Sequence, residues 1–440
     1  MALKIAVIGS GIAGLSAAWY LGKKHNVTLF EKADNLGLGQ KSLEIATPNG
    51  HMKMDIPPRV TNRGHYKAFY NLLDEVGAEV YTVKQVASFN LLDGSNYLEH
   101  RTWNNPWFSL SLPSLKKNSL RWLLEYQKDL IRFYKILWID KPKAIWQQQS
   151  IAEFLKIKGF KQGFVEGFLY PMWALICTCE YENIGKFPAQ DMLDAFRSFT
   201  GSTQSLRLRG GTKALETLLV QRVQRFLLGV TVQGVEPKPK GCSVHTENEE
   251  HHFDHVIVAT EPHIAARLVG ENIRNEAELL RQFPVADTEM VVHTDTKLMP
   301  NNIASWSSVN LFWDKIQKRY SATLWMNRLE EQPLENQGIF QTWNPCQPIS
   351  PEKILARRVF KRSLLTPESA RARELLSSKM RQDSRHLWYV GAYLTSGIPL
   401  LENGVASSVE MYSNLEAALS AAGQNHHEVL RELDTPHPIP

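Results

Sequence analysis

The chain has 440 residues, 43% of them hydrophobic, with 50 lysines and arginines against 45 aspartates and glutamates and a formal net charge of +5. This is enough apolar material for two domains with cores of their own, and so balanced a charge gives no reason to expect a nucleic acid as partner. Residues 5–21 are the one apolar stretch that could pass for a leader or a membrane anchor, and their three spaced glycines and missing cleavage site argue for folded core instead.

In chain order, the first element is Lys4-Ile5-Ala6-Val7-Ile8, followed by Gly9-Ser10-Gly11-Ile12-Ala13-Gly14. The spacing predicts a buried strand, a tight turn and a helix over residues 12–24. Gly9 permits the turn, Gly11 has no Cβ to keep a pyrophosphate off the backbone, and Gly14 lets the helix lie against the strand. The positive end of that helix then faces the phosphates, worth up to about 2 kcal/mol when partly buried. Val27-Thr28-Leu29-Phe30-Glu31 is a second strand ending in an acid that can accept hydrogen bonds from ribose hydroxyls. Strand, glycines, helix, second strand and acid in this order predict a dinucleotide grip, and the acid favours a free 2′-hydroxyl over a 2′-phosphate.

Further along, Lys53-Met54-Asp55 reads as a short strand, and Phe69, Leu72, Leu73 and Val76 mark one face of a helix over residues 66–76. Residues 101–146 hold five of the twelve tryptophans (Trp103, Trp107, Trp122, Trp138 and Trp146) among Lys116, Lys117, Arg121, Lys128, Arg132, Lys135, Lys141 and Lys143. Helical spacing of Leu120, Leu123, Leu124, Leu130, Ile131, Tyr134, Leu137 and Trp138 predicts a mainly helical insert. Such an insert suits a membrane interface or a lipid-like substrate, and equally an ordinary helix with one face in the core. Helical pattern continues over 151–155 and 164–176, and Gly210-Gly211 leads into a helix over 212–226 capped by Thr212. Residues 230–235 and 242–246 form paired strands around the turn 237–241, and residues 253–260 form a buried strand. Strands are also expected at 290–293, 322–326, 338–341 and 386–393, then a helix over 404–421 and a frayed polar tail over 423–440.

Cys177, Cys179, Cys242 and Cys346 are few and irregularly spaced, which points to reduced thiols and a cytoplasmic location. Cys177-Thr178-Cys179 lacks the spacing of a redox or zinc pair, and no carboxylate or cysteine completes a ligand set with His251, His252 and His255. No metal site is expected.

The assembly resembles the flavin-containing amine oxidase and phytoene desaturase superfamily over nearly the whole chain, from the N-terminal grip through Gly210-Gly211, Val232 and residues 256–260 to Val390-Gly391. His293-Thr294-Asp295, Leu298-Met299-Pro300, Trp325-Met326-Asn327-Arg328-Leu329 and Val390-Gly391-Ala392-Tyr393 are similar to a bacterial subgroup of FAD-binding oxidoreductases, some of them associated with fatty-acid modification. The resemblance implies an α/β fold. A Rossmann-like FAD-binding domain of the glutathione-reductase type would comprise residues 1–60, 205–283 and 385–422. A discontinuous α+β substrate domain would comprise residues 61–204 and 284–384. It implies noncovalent FAD, with Gly9, Ser10, Gly11, Ala13 and Gly14 at the pyrophosphate, Glu31 followed by Lys32 at the adenosine ribose, and Gly37 near the diphosphate. Val232 would meet the adenine through its backbone, and Gly391 would sit by the ribityl and phosphate region. Gly404 and Val405 would start a helix whose N–H groups stabilise the anionic reduced flavin. The chain departs from the pattern at Asn35, Leu38, Ser408 and Asp55-Ile56-Pro57-Pro58-Arg59-Val60, which replaces a glycine-rich stretch.

A second strand-borne GxGxxG is absent, so the expected electron source is the organic substrate and the expected acceptor oxygen or a quinone. The cofactor would carry the hydride chemistry while the protein positions a carbon and keeps the pocket dry. Trp325, Trp343 and Tyr393 are candidate walls, and His293 and Lys297 candidate proton carriers. All five also fit packing or surface roles, so no catalytic residue is assigned. The leading expectation is an oxidase or desaturase acting on a hydrophobic, fatty-acyl or polyene substrate, with peripheral membrane contact through the aromatic insert. The alternatives are an amine oxidase and a flavin-binding partner protein without catalysis.

Overall fold

The computed structural model describes residues 2–39, 42–47, 50–105, 108–114, 117–140, 144–200, 204–331, 338–382 and 385–433. Strand β1 (Lys4–Ile8) lies between β2 (Asn26–Glu31) and His255–Val258, with Arg225–Leu228 and Leu387–Tyr389 at the two edges, all five parallel. Ile5, Ala6, Val7, Val256, Ile257 and Val258 are fully buried. A parallel sheet covered on both faces calls for such unbroken apolar runs, each Val or Ile side chain contributing roughly 1.5–3 kcal/mol. Helix α1 (Ile12–Leu21) is buried from Ala13 to Leu21. It packs against the C-terminal helix Leu401–Leu433, and the small residues Ala13, Gly14, Ala17 and Ala18 allow it to be covered on every side.

A second, eight-stranded sheet runs in the order Ile354–Ser363, Val285–His293, Phe340–Trp343, Arg319–Trp325, Val309–Asp314, Ala87–Leu91, Asn96–Asn105, Phe108–Pro113. Its pairs are antiparallel except Val309–Asp314 with Ala87–Leu91. The helix Tyr170–Cys177 packs on the middle of this sheet. Behind it Phe133, Phe164, Phe168, Trp173 and Phe196 form an aromatic core, with the Phe133 and Phe196 rings edge to face at 5.0 Å.

Several expected elements differ. Residues 101–105 and 108–113 open the aromatic insert as strands rather than helix, and its long helix is Lys117–Trp138. Trp107, Lys116, Lys141 and Lys143 lie outside the described residues. The helix expected over 212–226 ends at Leu219, and Arg225–Leu228 instead pairs with the open edge of β2, Phe226 opposite Leu29. That pairing satisfies backbone groups of β2 that a longer helix would leave open. The C-terminal helix does not stop near Ala422 but runs on to Leu433, so the expected tail is helical over 423–433, and residues 434–440 lie outside the described residues.

Candidate cofactor and substrate site

Gly9 closes β1 with a φ of +105°, and a Cβ there would stand 2.7 Å from the Ala259 carbonyl oxygen, so the turn admits only glycine. A Cβ on Gly14 would overlap the Gly9 carbonyl oxygen. Gly11 is different in kind. Its φ of −71° is open to any residue, and no protein atom lies within 4 Å of where its Cβ would be. Glycine there leaves space above the first turn of α1. Leu15 makes a bond back to the Gly11 carbonyl at 2.9 Å, so the N–H groups of Ile12, Ala13 and Gly14 precede the helix's own ladder and face that space. The geometry fits a pyrophosphate.

Glu31 accepts hydrogen bonds from Ser10 N–H at 3.1 Å, from the Ser10 hydroxyl at 2.6 Å and from Ala33 N–H at 3.1 Å. The Ser10 oxygen in turn accepts Gly37 N–H at 2.6 Å. Ser10 therefore acts within the loop, aligning the acid and the Gly37 turn, and its N–H is not free for a phosphate. Lys32 is exposed. Gly229 and Val230 donate to the Ala33 and Glu31 carbonyls at 3.0 and 3.1 Å, which ties the approach to the buried Val232 to the end of β2.

At the other end of the chain, Gly391 donates to Ser407 Oγ at 3.0 Å, and the Tyr393 ring occupies the space a side chain would need. The C-terminal helix begins at Leu401, ahead of the expected Gly404 and Val405. Gly404 N–H bonds the Leu400 carbonyl at 3.2 Å, so the free N–H groups of that helix end lie before Gly404, and Val405 is fully buried. Gly404 serves packing: a Cβ would come within 2.8 Å of Ile12 Cγ2. The unusual Ser408 donates to the Ala13 carbonyl at 2.8 Å and pins the helix to α1.

A cavity of ≈ 730 Å³, a volume suited to a ligand site, reaches Gly11, Gly37 and the start of the C-terminal helix, while Gly9, Glu31, Val232, Gly391 and Gly404 do not line it. Gly11, Ile12, Gly37 and Leu38 line one end and Pro399, Leu400 and Leu401 a side wall; the remainder includes Met172, Leu175, Ile176, Val309, Leu324, Trp343 and Phe360. Pro57, Pro58, Arg59 and Val60 also line it. Just before them, buried Asp55 accepts Thr212 N–H at 2.9 Å and the Thr212 hydroxyl at 2.7 Å. A carboxylate distant in sequence thus caps the helix Gly211–Leu219, and Thr212, expected to be the cap, is its donor. Gly210 and Gly211, at φ of +69° and +66°, bring that helix start up to Asp55.

Of the side chains weighed for chemistry, Trp343 lines the cavity, while Trp325, Tyr393, His293 and Lys297 do not. His293 is fully buried in the second sheet, with Nε2 2.7 Å from Thr342 Oγ1 and Nδ1 accepting Asp295 N–H at 3.1 Å. Burial pushes its pKa down to about 4, and it stays neutral. Cys177 reaches the wall, but burial, helped by Cys179, holds its thiol well above the ordinary range. Among the described residues no group of three or more His, Cys, Asp or Glu is placed to hold a metal. Arg59 and Arg362 both line the cavity and were not singled out as functional in the sequence.

A family model described as an NAD(P)-binding Rossmann-like domain matches residues 7–76. No curated protein matches the chain by sequence. Among solved structures, a CLA-producing fatty acid isomerase from P. acnes is similar at 14% identity, over 93% of this chain and 98% of that one, with a TM-score of 0.66. Cyclohexylamine oxidase from Brevibacterium oxydans IH-35A is similar at 12% identity, over 94% and 100%, with a TM-score of 0.60. A double mutant of putrescine oxidase is similar at 11% identity, over 95% and 100%, with a TM-score of 0.63. Grip and architecture together define a Rossmann-type dinucleotide-binding α/β fold. More narrowly, the chain shares its overall fold with these oxidase and isomerase structures.

Proposed function

We propose that the protein is an FAD-dependent oxidoreductase that removes hydride from a hydrophobic organic substrate. The observation that carries this reading is the single cavity running from the glycine grip to an apolar chamber. The N–H groups of Ile12, Ala13 and Gly14 above Gly11 would hold the pyrophosphate, with Gly9 and Gly37, whose own N–H groups are already bonded within the protein, shaping the turn beside it. Glu31 would meet the ribose and Val232 the adenine edge, with Gly391 nearby. Bound there, FAD supplies the hydride acceptor, held without a covalent link. Met172, Leu175, Ile176 and Leu324 position an apolar chain and exclude water, each methylene moved out of water contributing about 0.8 kcal/mol. The N–H groups at the start of the C-terminal helix favour negative charge on the cofactor side of the cavity. Reoxidation is assigned to oxygen or a quinone.

We further infer the domain division 1–60, 205–283 and 385–422 against 61–204 and 284–384, supported by the parallel sheet drawing all five strands from the first set and the eight-stranded sheet all its strands from the second. Peripheral contact with an anionic lipid surface is supported by the helix Lys117–Trp138. Opposite its buried face, Leu124, Ile131 and Trp138 are 64%, 69% and 53% exposed along one stripe, with Lys117, Lys128 and Lys135 beside them. Among the described residues no helix is long and apolar enough to cross a membrane. The second reading, an amine oxidase, draws on the likeness to the two amine oxidase structures. Anaerobic addition of candidate substrates to flavin-loaded protein separates the readings. Bleaching by a lipid and not by small amines supports the first, bleaching by amines alone the second, and no bleaching by either contradicts both.

A further inference from the structure

Two guanidinium groups face the cavity, and among the described residues neither is ion-paired. Arg362 stands on the strand Ile354–Ser363, and Arg59 follows Pro57-Pro58. Among the described residues no carboxylate lies within 4.0 Å of either. Two other cations of the same strand are paired, Lys361, which also reaches the cavity wall, with Asp287 at 3.0 Å and Arg357 with Glu289 at 2.5 Å. Arg362 Nε is buried without a hydrogen-bond partner, and its guanidinium carbon lies 5.3 Å from the ring centres of both Trp343 and Phe360. Those rings hold the head in place, and its Nε–H is left without a partner.

A half-buried cation without a close counter-charge is costly, so the arrangement favours an added anion. Burial lowers the pKa of Arg59 from its ordinary value, only partly offset by Asp55, whose carboxylate is already engaged by Thr212. Burial also pushes Arg362 down to about 9, and the charge of Arg59 acts in the same direction. Arginine does not give up its proton in a protein, so both shifts register chiefly the withdrawal of each charge from water, with repulsion from Arg59 added at Arg362.

We propose that Arg59 and Arg362 together bind the carboxylate of the substrate, so that the cavity takes an apolar monocarboxylic acid. This deepens the proposed oxidoreductase reading and rests on it for the word substrate. The anion is assigned to substrate rather than cofactor because Arg362, Trp343 and Phe360 all belong to the eight-stranded sheet, while the phosphate-facing N–H groups belong to α1 on the parallel sheet. A guanidinium fork matches a carboxylate through two parallel hydrogen bonds, and the neighbouring Met172, Leu175 and Ile176 suit its chain.

The test is calorimetric titration of flavin-loaded protein with decanoate and with methyl decanoate. The acid should bind on the order of 10–100-fold more tightly than the ester, the range for a hydrogen-bonded charge. Arg362→Met should bring the acid down to the affinity of the ester while leaving FAD content and melting temperature in place, and Arg362→Lys should fall between. Arg59→Met, on a different element, should weaken the acid in the same way. Equal binding of acid and ester by the unmodified protein overturns the proposal, as does loss of FAD in Arg362→Met, which would assign the anion to the cofactor. Binding requires no turnover, so acid-selective binding without bleaching contradicts only the proposed reaction, and bleaching by lipids without acid selectivity contradicts only the carboxylate site.

Discussion

Replacing Gly11 by valine separates the needs of the cofactor from those of the fold. The backbone at Gly11 tolerates a side chain, and the protein has no atom within 4 Å of the Cβ position, so the cofactor-free variant should fold. Loss of a preferred helix-cap residue should cost it about 1 kcal/mol. The same branched carbons fill the space in front of the Ile12, Ala13 and Gly14 N–H groups. Excluding a charged phosphate from those donors should cost about 3 kcal/mol, or more than a hundredfold in FAD affinity. Melting of the cofactor-free protein and FAD titration by fluorescence quenching report the two effects separately. Gly14→Ala is the contrast, because its Cβ overlaps the Gly9 carbonyl and should destabilise the fold itself. A Gly11→Val protein that holds FAD as tightly as its parent, or that fails to fold without FAD, would refute the reasoning.

Asp55→Asn keeps one acceptor for Thr212 but removes the charge at the start of the helix Gly211–Leu219, and should lower stability by about 1–2 kcal/mol in urea unfolding; an unchanged midpoint would show that Asp55 is not the cap. The folded-state pKa of His293, about 4, lies below its ordinary value of 6.5, so the unfolded chain binds the extra proton between these values. Its contribution is fully present above pH 6.5 and is lost as pH falls through 4, up to about 3 kcal/mol, and His293→Gln should flatten that part of the stability profile while leaving the protein less stable at neutral pH. An identical acid-side slope in the variant would argue against the buried neutral imidazole. Leu124→Ser combined with Ile131→Ser should reduce flotation with anionic vesicles about tenfold, leaving the melting temperature unchanged because both side chains are exposed; undiminished flotation would rule out this face as the lipid contact.

The grip was legible because its requirements are local: the turn at Gly9, the close approach at Gly14 and the acid ending β2 are each set within a few residues of one another. The reason for Gly210-Gly211 was not, since the carboxylate it approaches is Asp55, brought up by tertiary packing. Phe226 kept a helical rhythm with the residues before it, yet the open edge of β2 drew Arg225–Leu228 into the sheet. Asn96–Asn105 and Phe108–Pro113 pair with each other as neighbouring segments at the edge of the second sheet, where helix was expected. Gly404 was expected to start a helix, but it lies inside one that begins at Leu401, in close contact with Ile12. Arg59 and Arg362 look like ordinary surface cations in sequence, and only the assembled cavity places them together, neither ion-paired among the described residues.

The central claim is that the glycine grip and the cavity beyond it hold FAD. Its most direct measurement is the visible spectrum and cofactor content of the purified protein, before and after incubation with FAD and then heat denaturation. The expected result is a yellow protein holding about one FAD per chain and releasing it intact on denaturation, as a noncovalently held cofactor would be. A colourless protein that cannot be reconstituted with FAD would contradict it.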